Sequence, residues 1–355
     1  MLPILACSDQ EKFWLQTTNV PCCICSNFNE WVQYSQPKAA VYEILHVNKD
    51  SVDRLEQIYL HSDLTIVILP EMVTDSLLRK FDRERIVFFT GAVLNYQLAK
   101  AAVEFMPYFF WSTTDFYHAN SEYLKQLRPG NESKVFDALL GRRKKHRTLL
   151  YNELDLDCNI VTYFSSDQDQ DITCLSQQEF IWPDVLVKPK HAIIQTVDEV
   201  IVNQTIVSLS QLVPCDIYNQ CHYSIVAETH CENNWSFYTE KIVKPILAQR
   251  LFLVVAGKHY LKNLKQLGFQ TFDSIIDESY DNQDVLEVRI KMIVDQIHRL
   301  TQANHAQVKA QILSVVQHNS EHLLNTCWQT QMIDQLSAYL TAFYTKYTNK
   351  GTRYV

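Results

Sequence analysis

Glycine is the residue this chain most lacks. Six glycines occur in 355 residues, at positions 91, 130, 141, 257, 268 and 351, where average usage would give about 25. The shortage excludes whole classes of nucleotide site. No G-x-G-x-x-G is present, so the usual dinucleotide fingerprint is missing, which needs glycine to turn tightly and approach a pyrophosphate. G-x-x-x-x-G-K-[ST] and G-x-S-x-G are missing too, which excludes a P-loop NTPase and the usual nucleophile elbow. Any phosphate must then be held by side chains and helix ends.

Long apolar runs are absent as well. No stretch reaches the roughly 18 residues of a membrane span, so none is expected. The opening MLPILACSDQEKFW has no basic n-region, and its apolar part is too short for a secretory signal. A cytoplasmic address follows as an expectation. On that address the sequons at Asn131, Asn203 and Asn234 read as chance matches, and the ten cysteines as reduced thiols. Cys22, Cys23 and Cys25 cluster, but no second C-x-x-C or H-x-x-x-H follows at zinc spacing, so no metal site is expected. The net charge of −8 argues against a general nucleic-acid coat while leaving room for a local basic patch.

With 47% hydrophobic and 20% charged residues, the composition is that of a globular chain. Its length suggests roughly two domains. The runs at 2–6, 40–45, 64–69 (LTIVIL) and 85–89 (RIVFF) read as strands, with helical spacing at 50–60 and 75–81 between them. That alternation favours a parallel sheet covered on both faces. An aromatic-dense stretch over 105–117 follows and reads chiefly as core. A turn-rich break at 128–133 then marks the neighbourhood of a domain boundary. The α/β rhythm resumes with predicted strands at 158–164, 223–227, 251–256 and 269–272. Helices are predicted over 239–249, 283–300 and, as one long stretch, 304–347.

Two segments carry candidate chemistry. In YSIVAETHCENNWSFYTEKIVKPILAQRLFLVVAG (223–257), a strand ends at Glu228 and a polar loop leads into a helix opened by Tyr238-Thr239-Glu240-Lys241. Ligands of open α/β sheets sit beyond the carboxyl ends of strands, where these residues would lie. Thr239 can cap the helix, whose free N–H groups favour an anion. Lys241 adds a full charge, and Glu240 offers two oxygens to a ribose diol. Glu240 and Lys241 are equally what an ordinary exposed first turn carries, and Glu228 could simply cap a loop. The second segment, FDALLGRRKKHRTLLYNEL (136–154), holds the basic run Arg142–Arg147. Such a run suits a solvated face, a localisation signal, a nucleic-acid patch or a pyrophosphate site. Within it Arg147 is the preferred phosphate ligand, because guanidinium grips oxygens bidentately.

The Glu228 loop followed by FYTEK, a helix and LFLVVAG resembles the donor-binding motif of the α-1,3-fucosyltransferase family. Together with 136–154 it is also similar to glycosyltransferase-like proteins of viruses and phages. The resemblance covers about half the chain, mainly residues 105–155 and 220–282. It implies an α/β, GT-B-like architecture of two Rossmann-like domains facing a central cleft. Residues 1–138 would form the acceptor side and 139–300 the nucleotide-sugar domain. Residues 301–355 would be a helical segment packing back toward the N-terminal domain. The implied activity is inverting, metal-independent transfer of a sugar from a GDP- or UDP-sugar to a hydroxyl. The acceptor would be a glycan or a hydroxylated base of viral DNA, in the cytoplasm of a producing or infected cell. No cofactor is implied beyond the donor itself.

In the terms of the resemblance, Glu240 binds ribose, Lys241 phosphate and Arg147 pyrophosphate. Tyr238 lies near the donor, and Glu228 faces sugar or ribose. A carboxylate of the N-terminal domain takes the acceptor proton, with Asp115 preferred over Glu104 and Glu71. The chain departs from the family at Lys244-Pro245 and Gln249–Phe252, where typical members carry a run of small residues. The rival reading is a degenerate transferase fold that binds nucleotide or nucleic acid without turnover.

Overall fold

The computed structural model describes residues 1–45, 47–81, 85–95, 102–164, 193–194, 199–202, 205–208 and 211–351. They form two compact units, Met1–Trp111 with Cys327–Val355, and Ser112–Thr326. Both are mixed α/β with parallel main sheets.

The first unit runs β1 (Leu2–Leu5), α1 (Asp9–Thr17), β2 (Cys22–Cys25), α2 (Phe28–Val32), β3 (Ala39–Glu43), α3 (Lys49–His61), β4 (Leu64–Leu69), α4 (Asp75–Lys80), β5 (Ile86–Thr90), a short β6 (Ala92–Leu94) and β7 (Ala102–Phe105). Six strands make one parallel sheet in the order β2-β1-β3-β4-β5-β7. Every residue of LTIVIL is buried, as a central parallel strand with helices on both faces requires. The cysteine cluster is the edge strand β2, and its three thiols are free.

Helix α5 (Tyr108–Ala119) carries the chain into the second unit. There follow β8 (Lys134–Arg142), α6 (Lys145–Tyr151), β9 (Asn159–Phe164), a small antiparallel ribbon of β10 (Ile193–Ile194), β11 (Glu199–Val202) and β12 (Thr205–Ser208), then α7 (Cys215–Gln220), β13 (Cys221–Ala227), β14 (Trp235–Phe237), α8 (Glu240–Leu247), β15 (Phe252–Val255), α9 (Tyr260–Gln266), α10 (Leu286–Thr301) and α11 (His305–Asn325). Four strands form a parallel sheet in the order β15-β13-β8-β9. Helix α12 (Trp328–Gly351) returns to the first unit, where Tyr339 Oη donates to Glu104 and Trp328 packs edge-on against Phe110.

The division therefore falls inside α5, upstream of the expected 138/139. Tyr117 Oη accepts from Val213 N (2.7 Å) and Tyr123 Oη donates to Val213 O (3.1 Å), so the aromatic stretch belongs partly to the second unit. The expected long helix over 304–347 breaks at Thr326, whose Oγ1 donates to the carbonyl of His322. No strand forms at 269–272. The Asn319 side-chain amide takes both backbone groups of Gln270 (2.7 and 2.8 Å), doing for that residue what a neighbouring strand would do.

Candidate functional site

The second sheet reverses its strand order between β8 and β13, the switch point at which open α/β sheets leave a crevice. A cavity of about 460 Å³ lies there, within the usual size range of ligand pockets. Its walls include the end of β8 (Leu139, Leu140, Gly141), the end of β13 (Val226, Ala227), and charged side chains from α6, α8 and their caps.

Gly141 makes the turn out of β8. It sits at a register shift in the β8–β9 ladder with φ +63°, a conformation that suits glycine. The chain then enters α6, and the basic run divides. Arg143 is exposed, and Lys145 pairs with Glu287 at 2.6 Å. Lys144, His146 and Arg147 turn toward the end of β13. Lys144 Nζ donates to Thr229 O (2.7 Å), and Arg147 Nη2 donates to the carbonyls of Ala227 and Glu228 (both 3.2 Å). His146 Nε2 lies 2.9 Å from Glu228 O, and burial lowers this imidazole to a pKa of about 4. At neutral pH it is uncharged, and Nε2–H is the donor.

Opposite stands α8. Thr239 is its N-cap, accepting from Lys241 N (3.3 Å). Glu228 is fully buried behind that cap. Its Oε2 accepts from Thr239 Oγ1 (2.6 Å), and Oε1 from Thr239 N (3.2 Å) and Tyr260 Oη (2.8 Å). Burial raises the Glu228 pKa, against the opposing pull of Lys241 and these donors. Tyr238 is also buried, with Oη donating to Tyr260 O. Glu240 reaches the cavity and pairs with Lys241 Nζ at 2.7 Å; Lys241 also donates to Thr229 Oγ1 (3.2 Å). Burial alone would raise the Glu240 pKa, but Lys241 and Lys244 bring it below the ordinary value.

At the floor, Arg250 Nη2 pairs with Asp137 Oδ1 (3.0 Å) while Nε donates to Ser224 Oγ (2.9 Å), which itself donates to Asp137 Oδ1 (2.8 Å). A tight helix end delivers Arg250 to this network. Gln249 takes φ +51°, Gln249 N donates to Ile246 O and Arg250 N to Pro245 O, the hydrogen-bond pattern of a Schellman turn.

Of the residues singled out in the sequence, Arg147, Glu240 and Lys241 line one cavity. Thr239 and Glu228 brace α8 from behind, and Tyr238 is buried and not among the residues that line the cavity. Asp115 is exposed on α5 and is not among the residues of the cavity wall. Glu104 accepts from Tyr339, and the Glu71 carbonyl accepts from Thr90 and Gly91 in the first unit. Asn203 lies outside the described residues. Two lining cations went unread, Lys144 and Lys244. The signal for Lys244 was its place three residues after Lys241 on a predicted helix, which puts the two on one face.

Charge at the cavity is unbalanced. Lys144, Arg147, Lys241 and Lys244 face Glu240 and Asp137, and Asp137 is already held by Arg250. The arrangement suits an anion. Among the described residues no group of three or more His, Cys, Asp or Glu side chains is placed to hold a metal ion. No described helix is long and apolar enough to cross a membrane. Comparison with protein-family models, curated proteins and solved structures finds no match.

Proposed function

We propose that this cavity holds the phosphates of a GDP- or UDP-sugar and that the chain is an inverting glycosyltransferase of GT-B type, acting on a hydroxyl acceptor. The observation that carries the reading is the convergence of Arg147, Lys241, Lys244 and Glu240 at the carboxyl-end switch point of a parallel sheet. When the sugar leaves, negative charge grows on the diphosphate. Fixed cations in a partly dry cavity stabilise that charge most as it develops. Glu240, kept ionised by its two lysines, can accept from a ribose diol. Glu228 and Thr239 then serve by fixing the first turn of α8. The acceptor base, for which Asp115 was preferred, lies outside this cavity wall on the same reading. A glycan suits the acceptor better than DNA, because half of the basic run folds inward onto β13 instead of forming an exposed stripe.

The test is a thermal-shift panel of GDP-, UDP-, CMP- and dTDP-sugars. A ligand bound only by the folded chain at a hundred times its Kd adds about 2.7 kcal/mol. A GDP- or UDP-sugar should raise Tm, Glu240→Ala and Lys241→Ala should remove the rise, and the donor should hydrolyse slowly without acceptor. If no sugar nucleotide shifts Tm, the reading is wrong. A shift with neither hydrolysis nor transfer identifies a binding module instead.

A further inference from the structure

Lys244 stands apart from the other three cations of the cavity. Lys144 donates to Thr229 O, Arg147 to two carbonyls of β13, and Lys241 to Glu240 and Thr229. Among the described residues, Nζ of Lys244 has no hydrogen-bond or ion-pair partner, although the residue lines the same wall and is only partly exposed. Its acidic neighbours Glu240 and Asp137 attract it through space, but each is paired with a different cation. Glu240 pairs with Lys241, and Asp137 holds Arg250 and Ser224 through Oδ1. An ammonium kept partly dry with no partner is costly, and an anion of its own relieves that cost.

Position says which anion. Lys241 and Lys244 are three residues apart on α8, so their Cβ atoms lie about 5–6 Å apart on one face. Both line the cavity. The pair forms a short row of positive charge along the helix, and its first member donates to Thr229 Oγ1, one residue beyond the Glu228 carbonyl that Arg147 holds. One phosphate can be gripped by Arg147 and Lys241 together, which leaves Lys244 for a neighbouring phosphate. We propose that Lys244 is the ligand of a second phosphate and makes the cavity select a nucleoside diphosphate over a nucleoside monophosphate. This rests on the donor-site reading above and adds to it a residue and a selectivity. The position is one where the chain departs from the small residues of the family it resembles.

Calorimetric titration of the full chain with UMP, UDP, GMP and GDP tests it, using the wild type, Lys244→Met and Lys244→Arg, with melting curves to verify folding. The wild type should bind its preferred diphosphate at least ~10-fold more tightly than the matching monophosphate. Lys244→Met should abolish that preference while leaving monophosphate affinity within about twofold, and Lys244→Arg should keep most of it. If the wild type binds both nucleotides equally, or if Lys244→Met weakens both alike or neither, Lys244 is not the second-phosphate ligand and the donor site stands without it. If no nucleotide binds the wild type, the donor-site reading falls and takes this proposal with it.

Discussion

In the first unit β1 runs into α1 where the sheet reverses its order, and in the second β8 runs into α6 at the corresponding place. The third helical residue differs in sign. In α1, capped by Ser8, it is Glu11; in α6, capped by Lys144, it is Arg147. Glu11 is buried, and its carboxylate accepts from Cys7 N (2.5 Å), Ser8 N (2.8 Å) and Glu43 N (2.7 Å). The chain thus supplies its own anion to the β1 turn and closes it. Arginine can only donate, so Arg147 takes carbonyls of β13 and leaves positive charge facing the cavity. One position in a repeated βα turn separates a turn sealed by its own carboxylate from one whose charge is left for a ligand.

The comparison can be broken by swapping the sign. Arg147→Glu should give α6 the carboxylate that closes the first turn. Nucleoside diphosphate affinity should fall more than ~100-fold, about 2.7 kcal/mol or more. Calorimetry reads this, and retention within fivefold would show that charge at this position does not govern binding. Next in size is Glu11→Ala, which strands three backbone donors. It should cost about 2 kcal/mol, read as a lower urea midpoint, while the nucleotide-induced rise in Tm stays as in the wild type. A loss of nucleotide response in this variant would mean that the two turns do not act separately. The smallest effect belongs to Gln249→Gly. A left-handed non-glycine residue costs ~1 kcal/mol or more, glycine's entropy returns part of it, and a net gain of about 0.5 kcal/mol should raise Tm slightly. A fall in Tm would mean that the Gln249 side chain contributes more than the strain it causes.

Elements with strong local signals were legible in the sequence. LTIVIL, β-branched and ended by a proline, reads as a fully buried strand, and Thr239 before an amphipathic run could be read as a cap. Strand β8 was not legible, because FDALLGR follows a turn-rich break and runs into a basic stretch that looks solvated. Only its pairing with β13 and β9 makes it a strand. Residues 269–272 misled in the opposite direction, since an apolar stretch does not reveal that Asn319, far along the chain, will satisfy its backbone. In the site, three of the charged residues that line the cavity, Arg147, Glu240 and Lys241, were singled out in the sequence. Glu228 and Tyr238 were read as facing a ligand, yet their partners are Thr239 and Tyr260. A side chain's type is local information, whereas the direction it faces depends on contacts distant in sequence.

The split of the first unit around the second sets an order of assembly. Phe89, Glu104 and Phe110 meet their partners Tyr339 and Trp328 only across the whole of residues 112–326. During synthesis the second unit is contiguous and can fold as soon as it is complete, whereas the first gains its last helix only once α12 is made. A folded second unit also brings the two flanking segments together, which lowers the entropy that closing so long a loop would otherwise cost. The first unit therefore has its whole sheet early in the chain, while the contacts of Phe89, Glu104 and Phe110 with α12 form only after the second unit has been made.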